Sequence, residues 1–106
     1  MAEHHLKIAP PWFEAVASGH KTVELRREDS RRFEPGDVLV LREYQAPHLV
    51  TVPPRPPEFP TEDLAWVAGY TGRTCRVHVT HVLRHDDVPD LLPEGVAALS
   101  IRLLEA

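Results

Sequence analysis

The chain reads as a mainly β, α+β domain: a small curled sheet or barrel with one helix near its start. Three observations predict this. Five runs alternate or mass apolar residues in the manner of strands. A single short stretch, Pro11 to Ser18, carries helical signals. At 106 residues there is material for one modest core and not for two, so residues 1–106 form a single domain.

Taken in order, Leu6 and Ile8 alternate with His5 and Lys7 as a first strand that stops at Pro10-Pro11. Proline suits a helix's first turn, so Pro11–Ser18 is a helix, closed by Gly19, with Trp12, Phe13 and Val16 as its buried stripe. From Lys21 to Arg27, Val23 and Leu25 alternate with Thr22, Glu24 and Arg26, which predicts a half-buried strand with the valine and leucine inward. Lys21 belongs at the mouth of that strand, because an unpaired ammonium on the apolar side is costly. Pro35-Gly36-Asp37 is a turn signal leading into Val38–Tyr44, whose four leading apolar residues predict a strand covered on both sides.

Between about residues 45 and 68, Pro47, Pro53, Pro54, Pro56, Pro57 and Pro60 predict an extended, polyproline-like loop, with a helical turn over 62–67. Trp66 is expected to pack back onto the body, or to serve as part of a lid. A long strand from Arg73 to Leu83 places Cys75, Val77 and Val79 on one side, and Val96 to Leu104 closes the chain as a last strand. Cys75 reads as a buried structural thiol. His78 and His81 differ in parity, and His85 lies beyond the strand, so these histidines predict no metal site.

The candidate site is the strand after the helix. Residues two apart on a strand project the same way about 6.5 Å apart, so Thr22, Glu24 and Arg26 form a row of hydroxyl, carboxylate and guanidinium. Arginine's planar fork suits phosphate or carboxylate, and a carboxylate accepts from the amino group of a base. The same residues also read as a solvated ion-pair ladder with no ligand. The net charge of −4 argues against tracking along a duplex. Locally, five cations against three anions between His20 and Arg32 leave a basic patch suited to one nucleotide or an exposed nucleoside.

Together, Leu6-Lys7-Ile8, Trp12-Phe13-Glu14-Ala15-Val16, Ser18-Gly19-x-Lys21-Thr22-x-Glu24-x-Arg26, Phe33-x-x-Gly36-Asp37, Arg42-Glu43-Tyr44, Tyr70-Thr71-Gly72-Arg73 and Leu99-Ser100-Ile101 make the chain resemble the ASCH superfamily. It is most similar to a group of short bacterial and phage ASCH-like proteins. The resemblance covers nearly everything but the proline-rich stretch. It implies a PUA-like curled barrel of five to six strands, associated with RNA binding and modified-nucleoside chemistry, in which Lys21, Glu24 and Arg26 line a cleft beside the helix. One branch of the superfamily hydrolyses acylated cytidines with a lysine and a threonine of this strand and a later glutamate. Here Lys21 is kept, Glu24 stands in the threonine's place, and the region of the later glutamate is shortened to Asp86–Gly95.

Three functions follow as expectations. The first is a binding module for RNA or a nucleotide, using Lys7, Lys21, Glu24, Arg26, Arg27, Arg31 and Tyr44. The second is a small hydrolase with Lys21 and Glu24 as its catalytic groups. The third is a protein-interaction module acting through the proline-rich loop, where Pro53 to Pro56 and Pro54 to Pro57 flank Arg55. No cofactor, metal or membrane association is expected. A start without an apolar leader and a lone cysteine predict a cytoplasmic protein.

Overall fold

The computed structural model describes residues 1–52 and 63–105, with side chains outside 50–66. Five strands and one helix follow one another along the chain: β1 (Glu3–Ile8), α1 (Pro10–Ala17), β2 (Val23–Arg27), β3 (Val38–Val52), β4 (Asp63–Leu83) and β5 (Val96–Glu105). The strands form one mixed sheet in the order β1-β3-β4-β5-β2. The β1–β3 pair is parallel, and the other three pairs are antiparallel. The expected mainly β, α+β class is therefore present, as an open sheet with β1 and β2 at its two edges.

Alternation decides what the core accepts. Leu39 and Leu41 of β3, Cys75, Val77 and Val79 of β4, and Ala97, Leu99 and Ile101 of β5 point to one side and are buried. Phe13 and Val16, three apart on α1, cover that side. Val38 to Leu41 are all buried, as expected of a strand covered on both faces. Gly19 ends the helix at φ +81°, a left-handed conformation that glycine adopts without Cβ strain, and the backbone N–H of Lys21 then returns to the carbonyl of Ala15 at 2.8 Å. The helix stop thus delivers the chain directly into β2.

Three expectations need correction. Trp12 is 58% exposed rather than part of the buried stripe. Phe13 and Val16 share the inward face, and a neighbour one residue away is rotated by about 100° out of it. Val23 and Leu25 are exposed and Glu24 is buried, the reverse of the expected parity. The cause is pairing with β5: Glu24 lies opposite Leu99 and Arg26 opposite Ala97, so both charged residues share the face that Leu99 and Ala97 turn to the core.

The third correction concerns the stretch 45–68. Strand β3 runs on to Val52 and β4 begins at Asp63, so both flanks of the proline-rich segment pair as a hairpin, and Asp63 to Val67 is strand rather than a helical turn. The register shifts between Gln45 and His48, where Pro47 sits, which is how a strand accommodates a residue with no N–H to donate. Residues 53–62, with their five prolines, and the packing expected of the Trp66 side chain lie outside the described residues. No helix among the described residues is long and apolar enough to cross a membrane.

Candidate functional site

The two edge strands of the sheet face each other across a cleft of about 690 Å³, lined by Lys7, Ile8 and Ala9 at the end of β1, Trp12 of α1, and Lys21 to Arg26. Its floor is ionic. Glu24 is 4% exposed; its Oε1 accepts from the Lys21 ammonium and its Oε2 from Arg26 Nε at 2.9 Å. Lys21 Nζ also donates to the carbonyl of Val23 at 2.5 Å. A buried carboxylate requires such partners, because desolvating an unpaired charge costs several kcal/mol.

Arg26 does a second job. While its Nε holds Glu24, its Nη2 crosses the cleft to the carbonyl of Lys7 at 2.9 Å. Arg31, from the loop after β2, donates to the carbonyl of His5 at 3.5 Å. The carbonyls of residues 5 and 7 lie on one edge of β1, so these two arginines span the gap that a ladder between β1 and β2 would fill.

The rim is apolar. Trp12, Val23 and Leu25 all line the cleft while remaining 46% or more exposed. Such side chains suit the flat face of a base, whereas the floor suits polar edges and anions. Three cations and one carboxylate line the cleft, so it carries a positive balance on a chain whose net charge is −4.

Of the residues expected to bind, Lys7, Lys21, Glu24 and Arg26 come together here. Tyr44 stands next to them: the Lys7 ammonium lies 4.2 Å from its ring centroid. Arg31 reaches the seam without lining the cleft, and Arg27, exposed at the end of β2, takes no part in it. Sequence reasoning missed Trp12 as a rim residue. It also missed the network beside the site in which buried Glu43 accepts from Thr71 Oγ1 at 2.7 Å and lies 3.7 Å from Arg73, which pairs in turn with Glu14 of α1. The signal for that network was present, since Glu43 and the Thr71-Gly72-Arg73 run both belong to the motif set.

Behind the floor, Cys75 is buried as expected, its thiol pushed up to about 11 by burial and, secondarily, by the charge of Glu24. Away from the cleft, Glu28 holds Arg84 at 2.8 Å and the backbone N–H of Phe33 at 2.7 Å, tying the β2–β3 loop to the end of β4. Among the described residues, no group of three or more His, Cys, Asp or Glu side chains is placed to hold a metal.

Among solved structures, the chain is similar to the crystal structure of hypothetical protein PH0355, at 13% identity and a TM-score of 0.53, over 98% of this chain and 100% of that one. At that identity the likeness is one of fold. No curated protein matches. The family model described as "Domain of unknown function (DUF3850)" matches residues 3–101, and the chain belongs to that family.

Proposed function

We propose that the β1–β2 cleft binds a nucleotide, either free or as an exposed nucleotide of an RNA. The supporting observation is one buried carboxylate, Glu24, gripped by Lys21 and Arg26 beneath an apolar rim of Trp12, Val23 and Leu25. Each Glu24 oxygen has a second lone-pair direction with which to accept from the amino group of a base. Lys7, Lys21 and Arg26 supply donors for phosphate. A base seated against Trp12 would complete the arrangement.

The same reading takes the domain as an ASCH-like member of the PUA-like folds, a barrel in which arginine side chains stand in for a missing ladder. Arg26 of one sheet edge, and Arg31 from the loop that follows it, donating to the carbonyls of the other edge support it. Binding is favoured over hydrolysis because the Lys21 ammonium is engaged with two acceptors and Glu24 occupies the place of the threonine that the acylcytidine-hydrolysing branch uses.

The test is calorimetric titration of the four ribonucleoside 5′-monophosphates into wild type, Glu24→Ala and Arg26→Ala. Saturable binding that weakens at least tenfold, about 1.4 kcal/mol, in each variant is expected. Equal binding by all three proteins would remove the assignment. Turnover of N4-acylcytidines by wild type and not by Lys21→Ala would replace it with the hydrolase.

A further inference from the structure

A second basic surface adjoins the cleft. Lys7 and Arg42 are direct partners in the parallel β1–β3 ladder, so their side chains stand on the same face. Two like charges in that position repel. Neither is ion-paired with an acidic side chain among the described residues. Tyrosine rings hold them instead. The Arg42 guanidinium lies 3.8 Å from the centroid of Tyr70, and the Lys7 ammonium lies 4.2 Å from that of Tyr44 and 5.8 Å from that of Tyr70. Tyr44 and Tyr70 face each other across the β3–β4 ladder, edge to face at 5.2 Å, and Tyr70 is 47% exposed.

The rings stabilise each cation in place of an acidic partner. Cations and rings together match an anionic chain carrying stackable rings. The surface is also continuous with the cleft, because Lys7 belongs to both. We propose that the Lys7–Arg42–Tyr44–Tyr70 face is a track for single-stranded nucleic acid. It would hold the nucleotides flanking the one in the cleft, so that the ligand is an oligonucleotide rather than a mononucleotide. This rests on the nucleotide reading of the cleft. Stacking on Tyr70 needs bases unpaired from a complement, which selects single strands over duplex.

The experiment compares two probes, a fluorescein-labelled random single-stranded RNA of about twelve nucleotides and the four mononucleotides, on wild type, Tyr70→Ala, Tyr70→Phe and Arg42→Gln. Tyr70→Ala is expected to weaken the RNA about tenfold, while Tyr70→Phe, which keeps the ring, stays near wild type. Arg42→Gln should lower the slope of log affinity against log salt by roughly 0.7, one phosphate contact on a single strand. Mononucleotide binding should not change in any of these variants.

If wild type binds mononucleotides and RNA but Tyr70→Ala and Arg42→Gln bind the RNA as wild type does, the track is overturned and the cleft stands. If wild type binds neither probe, the cleft reading fails and the track with it. Equal affinity for the same RNA annealed to its complement would also overturn the track, in favour of simple attraction to backbone charge.

Discussion

Glu24 and Asp37 are carboxylates of nearly equal burial, at 4% and 3% exposure, and they are partnered in opposite ways. Asp37 precedes β3 and accepts from two backbone N–H groups and one buried ring: Ala2 N–H at 2.9 Å, Glu34 N–H at 3.0 Å, and His4 Nε2 at 2.9 Å. His4 itself is buried against Phe33. Glu24 is held by two long side chains, Lys21 and Arg26, whose own exposure is 27% and 23%. Backbone donors cannot swing away, whereas lysine and arginine can turn toward an incoming anion. Burial alone therefore does not separate a structural acid from one available to a ligand, and the mobility of its partners does.

The comparison breaks if the two acids respond alike to removal. Asp37→Ala leaves buried His4 and two part-buried backbone donors without their acceptor and is expected to cost about 3–5 kcal/mol of stability, read by urea denaturation. Glu24→Ala lets Lys21 and Arg26 relax into solvent and should cost about 1 kcal/mol, while nucleotide affinity falls at least tenfold. A larger stability loss for Glu24→Ala than for Asp37→Ala would make the cleft floor a structural clamp.

The Glu24 side of this contrast was partly legible in the residues, whereas Asp37 read only as part of a turn, and the part that was not legible has a definite cause. The helix stop at Gly19, the strand that follows and the row Glu24, Arg26 depend on local chemistry, and they were foreseen. Which face of β2 turns inward depends on its partner, and β5 begins only at Val96, far along the chain from β2, which ends at Arg27. Val23 and Leu25 look like core to any local reading, but opposite Ser100 and Ala98 they are turned to the cleft. Likewise Pro47 shifts the register of the hairpin without ending it, because pairing from Val38 onward carries the ladder past it. Arg42 and Tyr70 were visible as motif residues, but only the hairpin register brings one onto the other.

Acid sharpens the same contrast. Burial pushes the Asp37 carboxyl up, and hydrogen bonds from Ala2, His4 and Glu34 outweigh it, so the group sits below its ordinary value of 3.8. A carboxylate lowered on folding contributes stability that is complete above its unfolded value and drains away as pH falls through the folded one. Stability of the wild type should therefore decline below about pH 4. Asp37→Asn, already weakened, should decline less steeply. Some slope should remain in that variant, because Glu28 is also held below its ordinary 4.5: the hydrogen bonds from Arg84 and Phe33 and the charges of Arg84 and Arg32 overcome its desolvation. Parallel acid limbs for wild type and Asp37→Asn, in denaturation followed by circular dichroism, would show that Asp37 is not the enclosed charge described.

Cys75 offers the smallest and most local readout, because it senses the Glu24 side of the comparison from the interior. Burial is the larger cause of its raised value and the Glu24 carboxylate the smaller, so Glu24→Gln removes only the minor contribution. In the native protein at pH 8 a disulfide reagent should label Cys75 slowly, at a rate limited by opening of the structure, and Glu24→Gln should quicken it less than about tenfold. Prompt labelling in Glu24→Gln would mean that the Lys21–Glu24–Arg26 floor seals the core against water. Glu24 would then be doing at the cleft what Asp37 does before β3, and no carboxylate there would be left free to read a base.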